Sequence, residues 1–116
     1  DILRQHIPAL AIMADAFFDT RREKLVALAA RAAVPAMYHY REYVLAGGLI
    51  SYGIDFPDSY RQAGVYTGQV LKGAKPAELP VMQATKFQLV INVRTAKALG
   101  IKVSDNVLAL ADEVIE

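Results

Sequence analysis

The sequence predicts an α/β fold: a mostly parallel sheet flanked by helices. Two observations carry that expectation. Short apolar runs of strand type alternate with segments of helical spacing, in the order strand, helix, strand, repeated. Glycine and proline fall at the joints, where the chain turns from one element into the next. A length of 116 residues fits one domain, small for an autonomous fold of two or three layers.

Leu10 to Met13 is a continuous apolar run ending in a polar turn at Asp15, as a buried parallel strand would. Thr20-Arg21-Arg22-Glu23 reads as a capping box, with Leu25, Leu28, Ala29 and Ala32 as the apolar stripe of the helix behind it. Pro35 stops that helix, and Ala36 to Tyr40 reads as the second strand. A short helical turn over Arg41 to Ala46 ends at Gly47-Gly48, followed by a strand from Leu49 to Tyr52 with Gly53 as its exit. Pro57 suits a helix first turn, so a helix runs to about Lys72 before Gly73. Gly64 and Gly68, one turn apart on it, offer close approach to the sheet. A loop follows at Lys75 to Pro80. Phe87, Leu89 and Ile91 alternate with Gln88, Val90 and Asn92, the pattern of a half-buried strand. Asn92 and Ser104 each suit the cap of a short helix, ending at Gly100 and near Ala111.

Composition narrows the function classes. Hydrophobic residues make up 54% and charged residues 22%. That surplus suggests an apolar face covered by something else, a second lobe or a second copy. A membrane span does not explain it. The charge-free stretch Tyr43 to Ile54 has about 12 residues and three glycines, short of the ~20 that spanning needs. A formal net charge of +1 argues against nucleic acid as a partner. Cysteine is absent, so thiolate chemistry and Cys-based metal sites are excluded.

No catalytic set is found. His6 and His39 stand alone without metal-ligand spacing, and none of Ser51, Ser59 and Ser104 sits in a nucleophile elbow. Gly47-Gly48 lacks the rest of a phosphate loop, and a helix end accounts for it better. No metal and no cofactor is expected. In open parallel sheets ligands bind beyond the carboxyl ends of the strands. Those ends are the turns at 14–19, 38–42 and 52–55, and they gather Asp15, Phe17, Phe18, Tyr38, Tyr40, Arg41, Glu42 and Tyr52 as candidate ligand-binding residues. A carboxylate can take an ammonium group, an arginine can clamp a carboxylate, and aromatics can sandwich an apolar body. Each has a plainer reading. Asp15 can be a helix cap, Phe17 and Phe18 can be core or interface residues, and Arg41 can pair with Glu42.

Longer runs carry a resemblance. Arg21-Arg22-Glu23-Lys24-Leu25-Val26-Ala27-Leu28, Val34-Pro35-Ala36-Met37-Tyr38, Ala46-Gly47-Gly48-Leu49-Ile50-Ser51-Tyr52-Gly53, Lys75-Pro76-Ala77-Glu78-Leu79-Pro80-Val81 and Thr85-Lys86-Phe87-Gln88-Leu89-Val90-Ile91-Asn92 stand out. With the closing Ala111 to Glu116, they resemble the ABC transporter substrate-binding proteins of tryptophan/tyrosine type, over roughly residues 10–116.

The resemblance implies a two-lobed periplasmic-binding fold of type I, with a small organic solute trapped between lobes. It implies a binding protein and not an enzyme, periplasmic, handing an amino acid or similar solute to an ABC permease in the membrane. It places about 1–46 and 86–116 in the C-terminal lobe and about 47–80 in a crossover and helix of the other lobe. It also implies that a signal or lipoprotein segment and most of the first lobe are missing, so that the fragment self-associates. Asp15 takes the family's aspartate position, with Ala14 and Ala16 where prolines are usual, and Arg41-Glu42-Tyr43 matches its Arg-Glu-aromatic run. The competing reading is an α/β regulatory or nucleotide-binding domain, which a phosphate loop would support.

Overall fold

The computed structural model describes residues 7–116, so His6 lies outside the described residues. Along the chain run β1 (Leu10–Ile12), α1 (Ala16–Asp19), α2 (Arg22–Arg31), β2 (Ala36–Tyr38), α3 (Arg41–Leu45) and β3 (Ile50–Ile54). Then follow α4 (Phe56–Leu71), a 3-10 turn at Pro76–Glu78, β4 (Phe87–Asn92), α5 (Val93–Ala98), α6 (Asp105–Leu110) and β5 (Glu113–Ile115). The five strands form one sheet in sequence order. Strands β1 and β2, β2 and β3, and β4 and β5 pair in parallel, with Ile12 opposite Tyr38, Tyr38 opposite Ser51 and Ile91 opposite Val114. Asn92 N donates to Leu49 O and Asp55 N to Lys86 O, so β4 runs against β3. The sheet is mostly parallel, as expected.

Contacts divide the chain into two compact units, one reaching to Gly53 and resuming at Gln88–Glu116, the other spanning Ile54–Phe87. In the first unit, register decides the core. Side chains alternate faces along a strand, and paired residues of parallel strands share a face. Ile12, Ala36 and Tyr38 therefore point the same way, onto Val26 of α2 and Tyr43 of α3, and all five are buried. Met37 points the other way and is 41% exposed. In the second unit, Asp55 caps α4 by accepting from Asp58 N at 3.0 Å. Lys86 Nζ lies 3.1 Å from the same carboxylate, and Tyr66 donates from its hydroxyl to Pro80 O at 2.7 Å. Pro57 sits in the first turn, and Gly73 ends the helix at φ +102°.

Several local expectations are corrected. The Thr20 hydroxyl donates to Phe17 O at 3.0 Å, and α2 begins at an Arg21 cap with no side-chain bond, so the capping box does not form. Thr20 is spent closing α1, a helix too short to register as a period. Leu25 and Ala29 face the core as expected, joined by Val26, but Leu28 is 47% exposed. Helix α2 ends before Pro35 is reached: Val34 N bonds to Ala29 O and Ala33 N to Ala30 O, with Ala33 left-handed at φ 49°. That is a Schellman end built on alanine where glycine is usual. A Cβ added at Gly64 or Gly68 would meet nothing within 4 Å among the described residues. Along β4 burial follows position and not alternation: Phe87 is exposed, while Val90, Ile91 and Asn92 are all buried. Strand β5 was not expected from its sequence.

Candidate functional site

The first strand end carries Asp15, Phe17 and Phe18. Asp15 is extended at φ −160° and its Oδ1 accepts from Phe17 N at 2.7 Å, so the carboxylate caps α1. Phe17 and Phe18 are not core. They are 58% and 37% exposed, edge to face with centroids 5.8 Å apart. The Arg21 guanidinium sits 3.9 Å from the centroid of the Phe17 ring, covering one face by cation–π attraction.

Helix α1 is tied to the second strand end through Asp19. Its Oδ1 accepts from the Tyr43 hydroxyl at 3.0 Å and lies 3.1 Å from His39 Nε2. The Tyr43 ring is fully enclosed and stacks on Tyr38 with centroids 4.7 Å apart. Burial pushes the Tyr38 phenol up to about 12. It pushes Tyr43 further, with the Asp19 hydrogen bond acting in the same direction. A phenol whose folded pKa is raised contributes stability that is complete below its unfolded value near 10 and is lost as pH climbs through the folded value. Between about pH 10 and 12 the fold should therefore weaken. Site-resolved NMR of the tyrosine rings should show Tyr38 and Tyr43 ionising only as the protein unfolds. Ionisation of both near pH 10 with the fold intact would contradict this packing.

Gly53 does not end β3 but lies inside it. A Cβ there would overlap the His39 carbonyl, so the backbone of His39 passes directly against β3. Only glycine permits that approach. The crossing carries the start of α3 toward β5, where Arg41 meets Glu113. Arg41 Nε donates to Glu113 Oε2 at 2.7 Å and Nη2 to Oε1 at 2.8 Å, a two-pronged pair 72 residues apart in sequence. These bonds hold the guanidinium pKa above its ordinary value. Arg41 thus pairs with Glu113 and not with its neighbour Glu42.

The remaining candidates scatter. Tyr40 precedes α3 and packs half-buried on the core, with its ring stacked beside His39 at 6.2 Å. Glu42 stands in the first turn of α3, with Oε2 buried and lacking a hydrogen-bond partner among the described residues. Tyr38 is 2% exposed on the helix-covered face. Ser51 shares that face, so Tyr52 points to the opposite one, where it is 52% exposed. Tyr38 and Tyr52 therefore cannot line one surface. Among the described residues no group of three or more His, Asp or Glu side chains is placed to hold a metal.

Residues 2–115 match the ABC transporter substrate binding protein family. The chain belongs to that family. The ABC domain from Streptococcus pneumonia, solved in complex with L-Trp, shares 32% identity at TM-score 0.88 over 98% of this chain and 39% of its own. A conserved domain protein from Vibrio cholerae shares 28% identity at TM-score 0.87, over 97% of this chain and 38% of its own. A ligand-free, open substrate-binding protein with adhesive properties from Clostridium difficile, at 19% identity and TM-score 0.67, shares the fold, over 98% of this chain and 38% of its own. The chain therefore spans under two-fifths of each of these structures. No curated protein matches it.

The contacts of Asp19, His39 and Glu113 are not announced by the sequence. Asp19 is hidden because its partners lie 20 and 24 residues on, and a carboxylate at a helix end reads as solvated. One signal was present: a glycine inside a strand pattern marks close backbone approach, and Gly53 is such a residue.

Proposed function

We propose that this chain is part of the solute-binding component of an ABC importer, without catalytic turnover, and that its solute is an amino acid with an aromatic side chain. The unit comprising β1 to β3, β4 and β5 belongs to the C-terminal lobe, and Ile54–Phe87 belongs to the other lobe. The bare apolar surfaces of both meet the remainder of that protein. The site is the carboxyl ends of β1 to β3. Phe17 and Phe18 stack on the solute ring, Arg41 takes its carboxylate, and Asp15 and Glu42 compete for its ammonium. Tyr40 flanks the site and Tyr38 supports it from the core, while Tyr52 lies on the opposite face of the sheet in β3. The loaded protein, on the periplasmic or equivalent outer side of the membrane, delivers the solute to a permease.

The observation that supports this most is the L-Trp held by the Streptococcus neighbour, because exposed aromatics, an arginine and carboxylates on the turns after β1 and β2 are what such a zwitterion needs. Titration calorimetry and thermal melts of the whole protein against the common amino acids test the reading. L-tryptophan or a close analogue should bind and raise the melting temperature, adding about 2.7 kcal/mol of stability at a hundredfold excess over Kd. Absence of binding across the whole panel would remove it.

A further inference from the structure

The Arg41–Glu113 pair uses only one edge of the guanidinium. Glu113 occupies the edge formed by Nε and Nη2. Arginine carries five N–H donors in a rigid planar fork, so among the described residues both Nη1 hydrogens and the second Nη2 hydrogen remain for another acceptor. Arg41 keeps 34% exposure of its side chain with the pair made, so Glu113 does not enclose it. The backbone two residues before Arg41 is held close as well, with the His39 carbonyl against β3 at Gly53. Lysine could not serve here, since an ammonium has no second planar edge to offer.

We infer that Glu113 is a positioning residue: it locks the plane of the Arg41 guanidinium so that the opposite edge receives a solute carboxylate, restricting the site to carboxylate-bearing solutes. The inference rests on the reading of the strand ends as the solute site. An unlatched arginine samples several rotamers and loses that freedom on binding, whereas a latched one presents a prepared two-pronged surface. Glu113 would thereby set selectivity without touching the solute itself.

The experiment uses the whole protein with L-tryptophan and L-tryptophanamide as probes, titrated by calorimetry against the parent, Glu113→Gln and Arg41→Lys. The parent should prefer the acid over the amide by about tenfold or more, the scale of one charge-assisted hydrogen-bonded contact. In Glu113→Gln, affinity for L-tryptophan should fall by about tenfold while affinity for the amide stays near the parent value, so the preference collapses. Arg41→Lys should behave alike. If both probes weaken by the same factor in Glu113→Gln, Glu113 is merely structural and the inference is overturned. The same follows if the variant retains the parent's preference. A parent that binds neither probe overturns the solute reading first, and this inference with it.

Discussion

Replacing Tyr43 by alanine should destabilise the protein by about 3–5 kcal/mol, the usual loss for truncating an enclosed aromatic side chain. Tyr43 has no exposed surface, its ring lies against Tyr38 at an interplanar angle of 15°, and its hydroxyl donates to Asp19. The truncation removes the ring from the core, leaves Tyr38 without its stacking partner, and frees α1 from α3. Against a total stability of about 5–15 kcal/mol, such a loss threatens folding at ordinary temperature. Tyr43→Phe separates the two contributions. It keeps the ring and removes only the hydrogen bond to a charged acceptor, at about 1.5–3 kcal/mol. Urea unfolding of the whole protein measures both. A loss below 1 kcal/mol for the alanine variant would mean that the ring does not fill the core as described.

Gly53→Ala should cost about 3 kcal/mol or more, because the added methyl meets backbone that no rotamer change can move aside. The Cβ would overlap the His39 carbonyl, so the segment from His39 to Arg41 must lift away from β3. Two effects should follow together. Stability should fall by urea unfolding, and solute affinity should fall because Arg41 leaves the reach of Glu113. A variant of parent stability would show that β3 and the His39 backbone do not touch.

The order of elements was legible because it rests on local physics. Apolar runs, the Asn92 cap, Pro57 in a first turn and glycines at Gly47, Gly73 and Gly100 each act within a few residues, and each is found in place. What was not legible depends on pairing across the chain. Strand β5 is three residues with a charged start, and it becomes a strand only by lying along β4 with Glu113 opposite Val90. Leu28 and Leu25 look equivalent by spacing, but the direction in which the sheet lies decides which is covered. The candidate site divides in the same way. Asp15, Phe17 and Phe18 are candidates by a local rule, the turn after a strand. The Asp19–Tyr43 and Arg41–Glu113 pairs join residues 24 and 72 positions apart, and no pattern in the sequence announces such distances.

A crystal structure of the whole protein with L-tryptophan bound tests the placement of the site most directly. The solute ring should lie against Phe17 or Phe18, with its carboxylate on the Nη1 and Nη2 edge of Arg41 and Glu113 still holding the other edge. A solute bound elsewhere, with the carboxyl ends of β1 to β3 open to solvent, would contradict the site described here.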